Sequence, residues 1–153
     1  MKILVTGASG LIGRALTKEL ASTGHTVVRA VRTTPRGDDE RQWDPRNSTV
    51  APGFLDGIDA VVHLAGAGIG DKRWSDDYKR EILESRTKGT AAIANAIATA
   101  GVKPSVFLSG SAIGIYGARG DEVLGEDASH GTGFLADVCE QWEAATEIGR
   151  AHV

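Results

Sequence analysis

Short apolar runs alternate along the chain with longer stretches in which apolar residues recur every three to four positions. The runs have the length and continuous apolar character of buried strands, and the longer stretches have the period of a helix. This pattern predicts strands at 2–5, 25–31, 60–64 and 105–108, and helices from 11 to about 24, at 76–100 and at 133–145. The polar stretch 32–41 is predicted to be a loop, and the fragment 42–45 follows it without an assigned element.

Strands that alternate with helices are typical of α/β proteins. Strands with continuous apolar runs are usually buried on both faces, so we expect a doubly wound parallel sheet with helices on both faces. The chain has 153 residues, of which 41% are hydrophobic, and this is enough to bury a sizeable core.

Charge and composition exclude several classes of function. Twenty acidic and 17 basic side chains give a net charge of -3, so no general attraction to nucleic acid or to a membrane surface is expected. The apolar runs are too short to span a bilayer. The only cysteine, Cys139, is interpreted as a small buried hydrophobe, and no spacing of possible ligands predicts a metal site. A cytoplasmic protein is the expectation.

The octapeptide TGASGLIG, residues 6–13, lies between the first strand and the first helix. Gly7 would permit a tight turn, Gly10 would let the backbone approach a pyrophosphate, and Gly13 would let the helix press on the strand. The amides of the helix N-terminus would then bind the anion. The motif predicts dinucleotide binding, with a purely structural turn as the alternative; its spacing is G-x-x-G-x-x-G, not that of ordinary dehydrogenases.

The end of the second strand indicates which dinucleotide is bound. An acidic residue there usually binds the ribose of NAD, whereas an arginine accommodates the 2′-phosphate of NADP. Arg29, Arg32 and Arg36 lie around this position, and the first acidic residue after the strand is Asp38. The pattern favours NADP over NAD, with solvated surface charge as the alternative for these arginines.

Several motifs together resemble the short-chain dehydrogenase/reductase superfamily, in its atypical, extended branch of NAD-dependent epimerase/dehydratase-like proteins. They are TGASGLIG, HLAG at 63–66, and LSGSA at 108–112 followed by YG at 116–117. Further matches are similar to a subgroup called epimerase family proteins, among them WDP at 43–45, Ser85-Arg86, Cys139 and Trp142-Glu143. The resemblance covers about residues 1–147.

The resemblance also implies how the chain is organised. It implies that residues 1–147 form an incomplete NAD(P)-binding domain of the Rossmann type, truncated before the last strands of the sheet. Residues 148–153 depart from the family pattern and are expected to be a non-native tail. A C-terminal lobe that would bind substrate is expected to be absent.

Roles in cofactor binding follow from the matching positions. The resemblance implies that the pyrophosphate is cradled by one set of residues and the adenosine and ribose are lined by another, while Arg32 meets the 2′-phosphate. The first set is Gly7, Gly10, Leu11, Ile12 and Gly13, and the second is Leu64, Ala65 and Gly66. Trp43 and Asp44 are expected either to border the adenine or, for Trp43, to anchor a loop on the core.

Catalytic residues are carried over less completely. The superfamily uses a serine together with a Tyr-x-x-x-Lys pair, in which the lysine lowers the pKa of the tyrosine. Ser111 matches the serine, but where the pair is expected the sequence has FLADVC at 134–139. Tyr116 is the nearest tyrosine and a second candidate, although its counterpart in the superfamily is usually structural. His63 is interpreted as a core or cleft histidine.

Two classes of function remain open at this point. One is an NADP-binding oxidoreductase or epimerase that acts on a carbonyl, an alcohol or a sugar-like small molecule. The other is a non-catalytic NAD(P)-binding sensor or regulatory protein, which the missing Tyr-x-x-x-Lys pair favours. The sequence predicts no oligomeric state.

Overall fold

A computed structural model describes residues 1–147, and its elements follow the predicted order. The strands are β1 (Lys2–Thr6), β2 (Thr26–Val31), β3 (Glu40–Asp44), β4 (Thr49–Val50), β5 (Ala60–His63) and β6 (Val106–Ser109). The helices are α1 (Leu11–Ser22), α2 (Asp76–Thr99) and α3 (Phe134–Ala144), and a short 3-10 helix spans Ile113–Tyr116. The tail predicted at 148–153 lies outside the described residues.

The strands form one six-stranded sheet in the order β4-β3-β2-β1-β5-β6. The five strands β3-β2-β1-β5-β6 are parallel to their neighbours, with β1 in the middle of the five. Val5, for example, is paired with Arg29 on one side and Val62 on the other. The predicted doubly wound α/β sheet is therefore confirmed. The short edge strand β4 departs from the parallel arrangement, because it runs antiparallel to β3.

Strand β3 begins at Glu40, within the segment predicted to be a loop, and includes the first three residues of the unassigned fragment 42–45. Its burial does not alternate regularly: Glu40 and Trp43 are buried, and Gln42 between them is exposed. Trp43 is its only large apolar residue, so the hydrophobic pattern carried no strand signal. An ion pair between Arg29 and Asp39 and another to Glu40 support the pairing with β2.

The two faces of the sheet carry separate parts of the core. On one face, Leu4 and Val61 pack with Ile93 of α2 in the larger cluster. On the other face, Ile3 and Val5 pack with Leu20 of α1. Because neighbouring residues of a strand point to opposite faces, this division confirms that helices cover both sides of the sheet.

Candidate functional site

The turn after β1 lies directly against the turn after β5. Gly7 has a positive φ of 68°, and a Cβ there would lie 2.8 Å from the carbonyl carbon of Leu64 and 2.9 Å from the amide nitrogen of Ala65. Any side chain at this position would therefore collide with backbone. The absence of a Cβ at Gly7 lets the carboxyl ends of β1 and β5 come together.

A second glycine brings α1 against the same turn. Gly13 is buried, and a Cβ there would lie only 2.1 Å from the carbonyl oxygen of Gly7. Gly10 is instead exposed, caps the helix and donates its amide to the Gly7 carbonyl at 3.0 Å. The sequence-predicted roles of Gly7 in the turn and of Gly13 in helix packing agree with this geometry.

The first turn of α1 presents unpaired backbone donors. The amides of Leu11, Ile12 and Gly13 find no acceptor among residues 1–147, because the helix has no preceding turn to supply one. No acidic side chain lies in this turn. Leu11 and Ile12 are 83% and 68% exposed, so the site is open to solvent. Such a helix N-terminus favours an anion.

A buried pair of side chains ties the two turns together. The Thr6 hydroxyl oxygen accepts the amides of Leu64 at 3.1 Å and Ala65 at 3.2 Å. It also lies 2.7 Å from Nδ1 of His63. Since this oxygen already accepts two hydrogen bonds, we infer that its own proton is donated to His63. The pair thus connects β1, the end of β5 and the turn that follows.

His63 is a buried core histidine, as interpreted from the sequence. It is fully buried, and burial lowers its pKa to about 4, so the ring is neutral at neutral pH. With Nδ1 accepting from Thr6, the ring proton is on Nε2, which has no partner.

Helix α2 holds the loop that continues beyond β5. The Ser85 hydroxyl accepts the Ala67 amide at 3.0 Å, and Nη1 of Arg86 donates to the Ala67 carbonyl at 3.0 Å. The Tyr78 hydroxyl donates to the Gly68 carbonyl. Sequence reasoning gave these three side chains no role. The Ser85-Arg86 doublet, one of the motifs behind the resemblance, was the available signal.

The arginines near the end of β2 differ in whether they form ion pairs. Arg29 is held by Asp39 at 2.7 Å and Glu40 at 3.1 Å. Arg32 is exposed and makes no ion pair within the described part of the chain. Arg32 therefore stays the candidate for a 2′-phosphate, whereas Arg29 has a structural partner.

Trp43 belongs to the core. It is 3% exposed and packs edge-on against His63, with ring centroids 5.8 Å apart. The expectation that Trp43 borders the adenine was wrong, and the alternative of a core anchor is confirmed. Asp44 accepts hydrogen bonds from the side chain and backbone of Asn47 and from the Arg46 amide, and these bonds lower its pKa.

Ser111 lies just beyond β6, where its hydroxyl donates to the carboxylate of Glu143 on α3. Both residues line an open groove of about 970 Å³. Tyr116 is half-buried at the end of the 3-10 helix. The pairing with Glu143 was not predicted, because 32 residues separate the two side chains.

The part of α3 beside Ser111 presents neither a tyrosine nor a lysine. Leu135 and Cys139 instead lie against Gly114 of the 3-10 helix, and the Cys139 thiol is 3.6 Å from the Ala112 carbonyl. Burial raises the pKa of this thiol. Cys139 is 3% exposed, which agrees with its interpretation as a buried hydrophobe. Within residues 1–147, no helix is both long and apolar enough to cross a membrane.

Comparison with known proteins identifies the family. The model of the NAD dependent epimerase/dehydratase family matches residues 3–134. The chain belongs to this family. It is 42% identical to the epimerase family protein Mb2239 of Mycobacterium bovis over 144 residues, which is 94% of this chain and 47% of the relative. The human epimerase family protein SDR39U1 is 31% identical over 97% of the chain and 50% of its own length. The chain thus spans about half the length of these relatives.

Solved structures of family members have the same fold. A nucleoside-diphosphate sugar epimerase from Corynebacterium glutamicum aligns with a TM-score of 0.83 and 41% identity, over 98% of this chain and 31% of that one. Human SDR39U1, solved with NADPH, aligns with a TM-score of 0.85 and 33% identity, over 95% of this chain and 48% of that one. MoeE5, solved with UDP-glucuronic acid and NAD, has a TM-score of 0.78 and 26% identity, over 99% of this chain and 50% of that one. Relatives in this epimerase/dehydratase family therefore bind nicotinamide cofactors.

Substitution of Gly13 tests the contact between α1 and the turn after β1. We expect Gly13→Ala to lower the free energy of unfolding by about 1–3 kcal/mol, because the new methyl group overlaps the Gly7 carbonyl. Gly101→Ala is the matched control, since a Cβ there meets nothing within 4 Å. Urea denaturation followed by circular dichroism measures both, and equal stability of the two variants would contradict the packing.

The buried His63 predicts how stability depends on pH. Its pKa falls from 6.5 to about 4 on folding, so the unfolded chain binds the proton more readily between these values. The contribution of His63 to stability, on the order of 3 kcal/mol, is complete above pH 6.5 and is lost as the pH falls to about 4. His63→Gln should flatten this part of the profile of unfolding free energy against pH. His130→Gln, at an exposed histidine, should not. An NMR titration showing His63 protonated near pH 6.5 in the folded protein would contradict the prediction.

Proposed function

We propose that the chain binds NADP as part of an oxidoreductase or epimerase that acts on a small carbonyl, alcohol or sugar-like substrate. The observation that supports it best is the set of acceptor-free, exposed amides of Leu11, Ile12 and Gly13 beside the Gly7 turn. Backbone donors at a helix N-terminus suit the pyrophosphate of a dinucleotide.

The shape of the turns after β1 and β5 supports a dinucleotide site. Side chains at Gly7 and Gly13 would overlap backbone where the turns and α1 meet, so these glycines hold the free amides of α1 against the turn, and Gly10 is exposed. Leu64, Ala65 and Gly66 continue the same surface at the end of β5, where ligands of doubly wound sheets bind. We assign these three residues to the adenosine and ribose side.

Arg32 supports the choice of NADP. It follows β2 directly, is exposed and has no carboxylate partner within residues 1–147, unlike Arg29. A guanidinium group at this place can bind a 2′-phosphate through charge-assisted hydrogen bonds. The NADPH of human SDR39U1 is in line with this choice, whereas the NAD of MoeE5 belongs to a more distant relative.

The chemistry follows from the groups near the end of β6. A nicotinamide cofactor supplies or accepts a hydride when bound. Ser111 would orient the substrate oxygen, and its own proton is held toward Glu143. Tyr116, half-buried at the end of the 3-10 helix, is the second candidate for a proton-carrying group.

The second candidate function is a cofactor-binding sensor or regulatory protein without turnover. The surface of α3 that faces the 3-10 helix carries Leu135 and Cys139, and a buried thiol with a raised pKa is a poor acid-base group at neutral pH. This surface favours the alternative. The pairing of Ser111 with Glu143 favours the enzyme.

Titration with the two nicotinamide nucleotides tests the cofactor. We expect the chain to bind NADPH more tightly than NADH, and Arg32→Ala to weaken NADPH binding roughly tenfold or more while NADH binding changes little. Arg36→Ala, in the same exposed segment, is the control. Nucleotide fluorescence measures both affinities, and equal affinity of the unaltered chain for NADPH and NADH would refute the assignment of Arg32.

A substrate panel separates the enzyme from the sensor. With NADPH and a set of ketones and nucleotide sugars, we expect nucleotide oxidation or new sugar isomers. Ser111→Ala should lower the rate on the order of 100-fold, because the substrate oxygen loses the hydroxyl group that orients it. Ser105→Ala, at a serine that precedes β6 and binds the Asp59 carbonyl, is the control. NADPH binding without any product, isomers included, would favour the sensor.

A further inference from the structure

Arg86 on α2 is a half-buried cation without a carboxylate partner in the described chain. Its Nη1 donates to the carbonyl oxygens of Ala67 at 3.0 Å and Ile82 at 3.1 Å. Five other arginine and lysine side chains, by contrast, form ion pairs with carboxylates: Arg29, Lys72, Arg80, Lys88 and Arg119. Arg86 is more buried than its exposed neighbour Lys88, yet it is bound to neutral oxygens alone.

The guanidinium group is fixed between two parts of the cleft. Its central carbon lies 5.1 Å from the ring centroid of Trp142 on α3. On another side it lies against Gly66, where a Cβ would come within 3.3 Å of the same carbon. The side chain is thereby held at the loop after β5, next to residues assigned above to the cofactor, before any ligand arrives.

The hydrogen bonds of Arg86 leave one side of the guanidinium group free. The Nε and Nη2 atoms find no acceptor among residues 1–147. They also keep access to solvent, unlike the fully buried and unpartnered His63 Nε2, Thr90 Oγ1 and Trp142 Nε1. The N–H groups of Nε and Nη2 point in parallel and match the two oxygens of a carboxylate. A fixed planar fork of this kind suits a carboxylate better than a lysine would.

The charge of Arg86 is also close to the place where the expected cation is missing. Arg86 and the Cys139 thiol are near enough for each to affect the pKa of the other, and Cys139 ends the FLADVC segment that replaces the tyrosine and lysine. Trp142, against which Arg86 packs, also lies within 3.3 Å of the position that a Cβ would take on Gly110, next to Ser111. Arg86 and Gly110 are therefore both close to Trp142, and Ser111 follows Gly110 in the chain.

We propose that Arg86 binds a carboxylate group of the substrate through its Nε and Nη2 atoms, beside Gly66 and Trp142. This proposal rests on the proposed function in placing the substrate beside Ser111. It narrows the substrate to a molecule that carries a carboxylate as well as an alcohol or carbonyl. The positively charged side chain in the cleft is then Arg86 on helix α2, and not a lysine on helix α3.

Glucuronate and glucose provide a matched pair of probes, because one carries a carboxylate where the other has a hydroxymethyl group. We expect glucuronate, and not glucose, to shift the Arg86 Nε–H signal saturably in proton–nitrogen NMR spectra of the NADPH-loaded chain. Arg86→Gln should abolish saturable glucuronate binding. Arg86→Lys, which keeps the charge but not the fork, should weaken it roughly tenfold or more.

Arg80→Gln is the matched control on the same helix, since Arg80 is exposed and already pairs with Asp77. It should leave glucuronate binding unchanged. Glucuronate binding that survives in Arg86→Gln, or that is absent from the unaltered chain with and without NADPH, would overturn the proposal. NADPH affinity measured in the same samples separates the carboxylate site from the cofactor assignment. Glucuronate binding without NADPH binding would refute only the cofactor assignment. Loss of NADPH affinity in Arg86→Gln would show that Arg86 has a structural role and would overturn the carboxylate site.

Discussion

The site depends on one contact between two stretches of backbone. Gly7 lies so close to Leu64 and Ala65 that no other residue fits, and the Thr6 hydroxyl binds the amides of the same two residues. This contact sets the distance between the carboxyl ends of β1 and β5. Because Gly13 presses α1 onto the same turn, the free amides of the helix face the point where the two strands end. A shift of the Gly7 turn would move the donors of α1 away from the surface that continues through Gly66.

Helix α2 has two roles that its sequence pattern does not separate. Its apolar side carries Ile93 into the core, while Ser85, Arg86 and Tyr78 bind the backbone of the loop after β5. A loop held from one side by Thr6 and from the other by α2 has little freedom to rearrange. The position of Arg86 is therefore set by the same bonds that shape the loop.

The order of strands and helices could be predicted because the main elements bury continuous or periodic apolar residues. Strand β3 could not, since Glu40, Arg41 and Gln42 are polar and only Trp43 reports its burial; β4 has two residues and no pattern at all. In the site, glycine spacing indicated the cradle because steric exclusion acts over a few residues. The bond from Ser111 to Glu143 and the packing of Arg86 on Trp142 join distant parts of the chain, and only the fold brings them together.

The fold changes what the missing Tyr-x-x-x-Lys pair implies for the charge in the site. A lysine in that pair supplies a positive charge, and a charge acts through its position and not through the element that carries it. Arg86 brings a guanidinium group from α2 to the neighbourhood of Cys139, where α3 has no cation. A guanidinium group remains protonated and does not serve as a proton donor, so it can hold an anion but cannot replace the tyrosine. Under the proposed function, binding of the substrate's charge and transfer of its proton therefore fall to different residues, with Arg86 for the first and Ser111 or Tyr116 for the second.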